Sequence, residues 1–281
     1  KFLALSTSVH RYTDSGIHTG TWLGEYMHFY DVLTEAGHEV ILASVDGGAV
    51  PIDPVSLKTP VIQLGGTNKR YEDPEFMDQL DDTPAIADVN LDEFDGIYLI
   101  GGHGTMFDFA NDEVKKAVAH FADNDKIVAA VCHGPCGLLD VTLANGTKLL
   151  DGHHVTGYSW TEEKLARRTE EVPFSLEEKL RDQAGGYTTA KIPMTKHVVV
   201  DGKLITGQNP TSAAGVGEAV LEALANRRTK QKDPSQKTQV HLRTVLINEF
   251  GSFERAQLIA FPTDDNHLQA RGYDELEHAR T

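Results

Sequence analysis

Cysteine is almost absent from this chain: two occur in 281 residues, Cys132 and Cys136, four positions apart. Disulfide-stapled secreted domains crowd many cysteines into short chains, so a disulfide framework is excluded and a reducing, cytoplasmic setting is expected. Positive charge is scarce as well. Against 42 acidic residues stand 26 lysines and arginines, a formal net charge of -16. Such a surface repels phosphate backbones and anionic headgroups, so neither nucleic acid nor a membrane is expected as a partner. No stretch reaches the roughly 18 apolar residues that span a bilayer, and the opening Lys1-Phe2-Leu3-Ala4-Leu5-Ser6 is too short for the apolar core of a secretion signal. Internal repeats, low-complexity tracts and coiled-coil heptads are missing too. With 40% hydrophobic residues the chain can nonetheless bury a proper core.

What the sequence does contain is an alternation of short apolar runs with amphipathic stretches through the first 228 residues, the pattern of βα units stacked on a mostly parallel sheet. Phe2 to Ser6 reads as a strand, Trp22 to Ala36 as a helix stopped by Gly37, and Glu39 to Ala43 as the next strand. Gly96 to Ile100, Val114 to Phe121 and Ile127 to Val131 repeat the unit as strand, helix and strand. A helix from Cys132 through Leu139 follows, then a segment His153 to Tyr158, helices near Glu162 to Arg168 and Ser175 to Gln183, strands near Val198 and Leu204, and a closing helix Ser212 to Ala225. From Arg227 to Thr238 the apolar periodicity is lost and charged and small residues collect, as in a solvated linker. Val240 to Phe250 is β-rich and Phe253 to Phe261 apolar again. The expected organisation is therefore a catalytic domain over 1–228 and a C-terminal linker and appendage over 229–281. The expected fold is α/β, a flavodoxin-like doubly wound sheet with helices on both faces.

In such sheets the ligand crevice lies beyond the C-terminal ends of the strands. One strand there runs Ala129-Ala130-Val131 straight into Cys132-His133-Gly134-Pro135. A sharp strand-to-helix turn lifts the side chain at its apex out of the sheet, and a helix N-terminus offers positive potential to a thiolate, so Cys132 reads as a nucleophile with a depressed pKa. His133 beside it can exchange protons near neutrality. Cys136, one turn on, should point back into the packing. A second strand ends in Gly101-Gly102-His103-Gly104, whose lack of side-chain bulk lets backbone N–H groups approach a developing oxyanion. No Gly-Lys-Ser/Thr follows and dinucleotide spacing is missing, so nucleotide binding has little support. His153 and His154 have no partners at metal-binding spacing, and no metal is expected.

Gly-Gly-His-Gly-Thr-Met-Phe-Asp-Phe from residue 101 and Ala-Val-Cys-His-Gly-Pro from residue 130 together resemble the ThiJ/PfpI superfamily. Thr19 to His28, Thr156 to Ser159 and Asp201 to Pro210 resemble its chaperone and glyoxalase III-like branch, and the resemblance spans residues 1–228. It implies that Cys132 is the nucleophile, His133 its imidazole, Glu25 a carboxylate hydrogen-bonded to the sulfur, and Glu163, or its neighbour Glu162, the acidic third member of a triad. Gly101, Gly102 and His103 would shape the oxyanion and substrate site, with Gly102 and His133 giving N–H donors. His28 corresponds to a recurrent pocket histidine, although Phe29 follows it where proline is usual. A homodimer is implied as well.

Amidotransferase glutaminases share the elbow but carry a downstream His-x-Glu motif, which this chain lacks near the end of its core. The resemblance therefore implies a cofactor-independent, cysteine-dependent lyase: a glutathione-independent glyoxalase that turns methylglyoxal or related 2-oxoaldehydes into 2-hydroxy acids through a hemithioacetal. Its partner would be the small-molecule aldehyde. A stress-response holdase, or a redox-sensing or deglycase-like protein of the same superfamily, is the competing expectation.

Overall fold

Short runs of Val, Ile, Leu and Ala can only be satisfied as fully covered strands, and the computed structural model places them there. It describes residues 1–232, 261–262 and 268–269. Strands β1 (Phe2–Ser6), β3 (Gly96–Leu99), β4 (Ile127–Val131) and β8 (Leu204–Gly207) are buried along their whole lengths. With β2 (Val40–Ser44) and β7 (Val198–Asp201) they form a six-stranded sheet in the order β2-β1-β3-β4-β8-β7, in which only the β7 edge runs antiparallel. Two two-residue strands, His154–Val155 (β5) and Gly186–Tyr187 (β6), make a separate small parallel pair.

Side chains alternate across a strand, and each face recruits its own helix. On one face Phe2 and Tyr98 receive Phe29 from α1 (Leu23–Glu35); the Phe29 and Tyr98 rings stack at 3.8 Å. Burying one such ring contributes roughly 2–3 kcal/mol. The other face presents Leu3, Leu5, Ile97, Leu99, Val128 and Ala130 to a core that includes Val114, Ala117, Val118 and Phe121. Those four lie at helical spacing on α5 (Asp112–Asp123), capped by Asn111 Oδ1 accepting from the Val114 N–H at 2.8 Å. Short helices α2 (Thr67–Tyr71), α3 (Pro74–Met77) and α4 (Thr105–Asp108) lie in the connections, and α6 (Trp160–Ala166), α7 (Leu176–Gln183) and α8 (Ala213–Lys232) complete the set.

Two expectations are corrected. The helix read from Cys132 through Leu139 is a short 3-10 turn over Gly134–Leu138. Its glycines are poor helix formers and are pressed against β3: a Cβ on Gly134 would stand 2.2 Å from the Leu99 carbonyl oxygen. The closing helix runs to Lys232 and overruns Arg227, where the linker was expected to begin. Arg, Lys and Gln are good helix formers even where apolar periodicity is lost.

The chain divides into two units, Lys1–Ala223 and Leu224–Thr281. The second includes an antiparallel pairing of β9 (Phe261–Pro262) with β10 (Leu268–Gln269). The β-rich stretch Val240 to Phe250 lies outside the described residues, as does the apolar stretch from residue 253 up to Phe261. In the first unit, register sets the site: Leu5 pairs with Leu99, Leu99 with Ala130 and Ala130 with Thr206. Four strands thus end at one level, and the residues that follow them meet there.

Candidate active site

Cys132 follows β4 with φ of +58°, in the left-handed region that a residue with a Cβ enters at a cost of about 1–2 kcal/mol. Neighbours hold it there. Its N–H donates to the Gly207 carbonyl at 2.9 Å, and its own carbonyl accepts from Tyr158 N–H at 2.8 Å. Such strain persists where the surroundings over-determine it.

Glu25 arrives from the first turn of α1, fully buried. Its Oε2 accepts from the Gly101 N–H at 2.8 Å, while Oε1 has no conventional hydrogen-bond partner. Burial, only partly opposed by interactions with the Cys132 thiol and the Gly101 N–H, pushes this carboxyl up to about 8. Gly101 makes the approach possible, since a Cβ on it would lie 2.4 Å from Glu25 Oε2 and 2.7 Å from Cys132 Cβ. Its carbonyl accepts from the Trp22 N–H at 3.1 Å, anchoring the start of α1 over the elbow.

The depressed thiol pKa expected from the sequence is overturned. Burial pushes the Cys132 thiol well above its ordinary value, and the Glu25 carboxylate adds to this, followed by Glu162 and Glu163. A single 3-10 turn offers too little dipole to reverse either effect.

His133 bridges the thiol to an acid. Its Nδ1 is 3.3 Å from Cys132 Sγ and its Nε2 is 2.8 Å from Glu163 Oε2. A carboxylate accepts only, so Nε2 carries the proton and Nδ1 is free to accept one from sulfur. Burial, helped by neighbouring His103 and opposed by Glu163, lowers the His133 pKa and keeps the ring neutral at pH 7. For Glu163 burial opposes ionisation, but hydrogen bonds and charge from His133 and His103 outweigh it and hold the carboxyl well below its usual range. His103 itself contributes Nε2 to Glu163 Oε1 at 2.6 Å.

The choice between the two adjacent acids is visible in the geometry. Glu162 is the third helical residue of a capping box: its Oε2 accepts from Ser159 N–H and Oγ–H, and its Oε1 accepts from Met194 N–H and Asn209 Nδ2–H. Glu163 faces the imidazoles. The signal was in the sequence, since Ser-x-x-Glu at 159–162 is the capping pattern.

His28 does not join this group. It is half-buried, with Nε2 3.1 Å from the Gly65 carbonyl oxygen, and lines a separate apolar cavity of about 390 Å³ with Trp22, Thr67 and Met194. The cavity beside the acid group, about 310 Å³, is lined by Tyr12, Trp22, His103, Tyr158 and Arg168 among others. Sequence reasoning gave no role to Tyr12, Arg168 or Asp53, which no local pattern marks. Tyr158 lay inside a quoted motif without a role, and its ring lies 4.4 Å from that of His133. Cys132 is 2% exposed, and Cys136 is buried beside Met106. The ligating atoms of His103, His133 and Glu163 lie within 4.8 Å of one another, the one group among the described residues with room for a metal ion. His153 and His154 pair instead with Asp201 at the surface.

Gly102 has φ of +115°, and a Cβ there would stand 2.2 Å from the Gly20 carbonyl oxygen. Gly102→Ala is therefore expected to destabilise the protein by about 2–4 kcal/mol, from backbone strain plus overpacking, measured by chemical denaturation. A stability change below about 0.5 kcal/mol would contradict this reading of the turn.

A cysteine held at a strained elbow on the carboxyl edge of a parallel sheet, with an imidazole and two buried carboxyl groups about it, defines a cysteine-elbow α/β protein. The DJ-1/PfpI family model matches residues 17–223, and the chain belongs to that family. It is 27% identical over 230 residues to Glyoxalase 3 of Candida albicans, covering 79% of this chain and 96% of that one. It is 30% identical over 225 residues to the glutathione-independent glyoxalase hsp3101 of Schizosaccharomyces pombe, covering 76% and 91%. The crystal structure of glyoxalase III from Candida albicans superposes with a TM-score of 0.71 at 27% identity, over 79% of this chain and 96% of that one. The Francisella tularensis protein REP24 superposes with a TM-score of 0.74 at 33% identity, over 79% and 98%. Among the described residues no helix is long and apolar enough to cross a membrane.

Proposed function

We propose that this chain is a glutathione-independent glyoxalase acting on methylglyoxal or related 2-oxoaldehydes. The observation that carries the reading is Cys132 Sγ placed 3.3 Å from His133 Nδ1, with buried Glu25 beside the thiol and Glu163 behind the imidazole. The names of the relatives at 27–30% identity support the same class.

The reaction begins as Sγ adds to the aldehyde carbon while the thiol proton passes to His133 Nδ1. Ionised Glu163 holds Nε2–H and stabilises the imidazolium that forms. The carbonyl oxygen of the aldehyde takes that proton back from the imidazolium and becomes the hydroxyl of a hemithioacetal, leaving His133 neutral again. Among the described residues, Gly102 N–H and His133 N–H have no protein acceptor, which leaves both able to donate to the developing oxyanion. The former aldehyde hydrogen then leaves as a proton and an enediol forms; reprotonation at the neighbouring carbon leaves a thioester. Glu25, with a pKa near 8, can take and return that proton close to neutrality. Water cleaves the thioester, releasing the 2-hydroxy acid and restoring the thiol. One carbon is oxidised and its neighbour reduced, so no external oxidant or reductant is consumed.

A redox-sensing role is less well supported, because oxidisable sensor cysteines combine exposure with thiolate character. Cys132 is 2% exposed and its pKa is raised.

Purified protein given methylglyoxal, without glutathione and with a chelator present, is expected to form lactate continuously. No lactate above the uncatalysed background would sink the reading.

A further inference from the structure

The cavity beside His103 holds more than methylglyoxal needs, both in space and in charge. Its volume, about 310 Å³, lies at the lower end of the range for sites that enclose drug-sized ligands, roughly 300–1,000 Å³. Its apolar wall is formed by Trp22, Val55, Leu165 and Met194, and its ionisable lining residues are Tyr12, Asp53, His103, Tyr158, Glu162 and Arg168.

The carboxylates in that wall are already used. Asp53 accepts from Thr19 Oγ1 at 2.9 Å and from the Val55 N–H at 2.8 Å. Glu162 has both oxygens occupied by Ser159, Met194 and Asn209. His103 is committed to Glu163. Arg168 is different. Half-buried, it makes no ion pair with any described carboxylate, in a chain with 42 acidic residues. Its guanidinium lies over the face of the Tyr12 ring, 5.5 Å away, and that ring in turn lies 5.7 Å from His103.

The backbone presents this residue deliberately. α6 carries Glu163 and ends at Arg167, which adopts φ of +56° as a left-handed cap. The Arg168 N–H then donates back to the Glu163 carbonyl at 3.2 Å. One helix end thus supplies both the acid behind His133 and the cation on the cavity wall. A guanidinium partly withdrawn from bulk water, with no described carboxylate paired to it, is available to bond an anionic ligand in the cavity.

We propose that the cavity selects 2-oxoaldehydes bearing a carboxylate at the end remote from the reacting carbons, with Arg168 as the specificity-determining contact. A single guanidinium, with no other lysine or arginine lining the cavity and His103 held by Glu163, suits a singly charged carboxylate better than a phosphate dianion. The inference rests on the glyoxalase reading. The class of reaction upstream would be one that leaves an acid-terminated dicarbonyl, and the product would be a hydroxy dicarboxylic acid.

The test compares kcat/KM for 4,5-dioxopentanoate and for neutral 2-oxopentanal, in the wild type, Arg168→Gln and Arg168→Lys. Wild type is expected to prefer the acid by about tenfold to a hundredfold, the worth of one charge-assisted contact. In Arg168→Gln that ratio should fall to about one, while Arg168→Lys should keep part of it. A ratio near one in the wild type, or a ratio unchanged in Arg168→Gln, would overturn the inference. Methylglyoxal turnover by the wild type is the control that separates the two failures: if it is present, only the anion selectivity is lost, and if it is absent, the glyoxalase reading falls as well.

Discussion

Cys132→Ala is expected to lower kcat/KM for methylglyoxal by at least about a thousandfold, because no other group in the site can form the covalent adduct. The second cysteine cannot substitute. Cys136 is buried on the far side of the elbow, packed against Met106 with its thiol pushed well above its ordinary pKa by burial. Folding should be almost unaffected, since alanine and cysteine meet the same strain at φ of +58°. Cys132→Gly separates the two roles further. Glycine adopts positive φ freely, so this variant is expected to be equally inactive yet more stable than Cys132→Ala by about 0.5–1 kcal/mol. Lactate release and denaturation midpoints read both effects. Retained turnover in Cys132→Ala would remove the nucleophile from the mechanism, and a Cys132→Gly variant less stable than Cys132→Ala would remove the strain from the elbow.

Features carried by short-range pattern were legible in the sequence, and features made by folding were not. Phe2–Ser6 and Ile127–Val131 are strands because runs of buried aliphatic residues bounded by turns have no other economical conformation. The elbow could be seen because Cys132 sits where such a run stops. Glu25, by contrast, reaches Cys132 from a different helix, more than a hundred residues away in sequence. The Gly101 N–H bonded to its carboxyl, the Gly101 carbonyl anchoring its helix and the absent Cβ of Gly101 bring them together, and residues alone would have left Glu25 as an exposed helix acid. The thiol pKa was misjudged for a related reason. The helix dipole can be guessed from local sequence, whereas burial and the neighbouring carboxyl, which dominate, come from tertiary packing. Glu163 and Glu162 are one residue apart and do unrelated work, and the capping box was the local clue that distinguishes them. His28 illustrates the opposite limit: it shares a helix with Glu25, but half-buried against the Gly65 carbonyl it serves a different cavity.

Glu25→Gln is expected to lower kcat/KM by about a hundredfold to ten-thousandfold, the usual contribution of a positioned proton carrier. The amide oxygen can still accept from the Gly101 N–H, so the site's shape survives while proton transfer does not. Wild-type activity should rise with pH up to about 8, where Glu25 gives up its own proton and becomes the base that takes the adduct's proton. The same carboxyl makes stability depend on pH in a direction opposite to that of a salt-bridged acid. Its folded pKa, about 8, lies above the ordinary 4.5. The folded state therefore binds more protons than the unfolded chain between those values, and stability declines as pH rises. The contribution is fully present below about 4.5 and lost by about 8; at ~1.4 kcal/mol per pH unit this amounts to roughly 5 kcal/mol. Glutamine does not titrate, so the wild type should lose stability relative to Glu25→Gln by that order between pH 5 and 8 in denaturant melts. If the two proteins keep parallel midpoints across that interval, Glu25 is not a buried, neutral acid, and the proton it shares with the site must reside elsewhere.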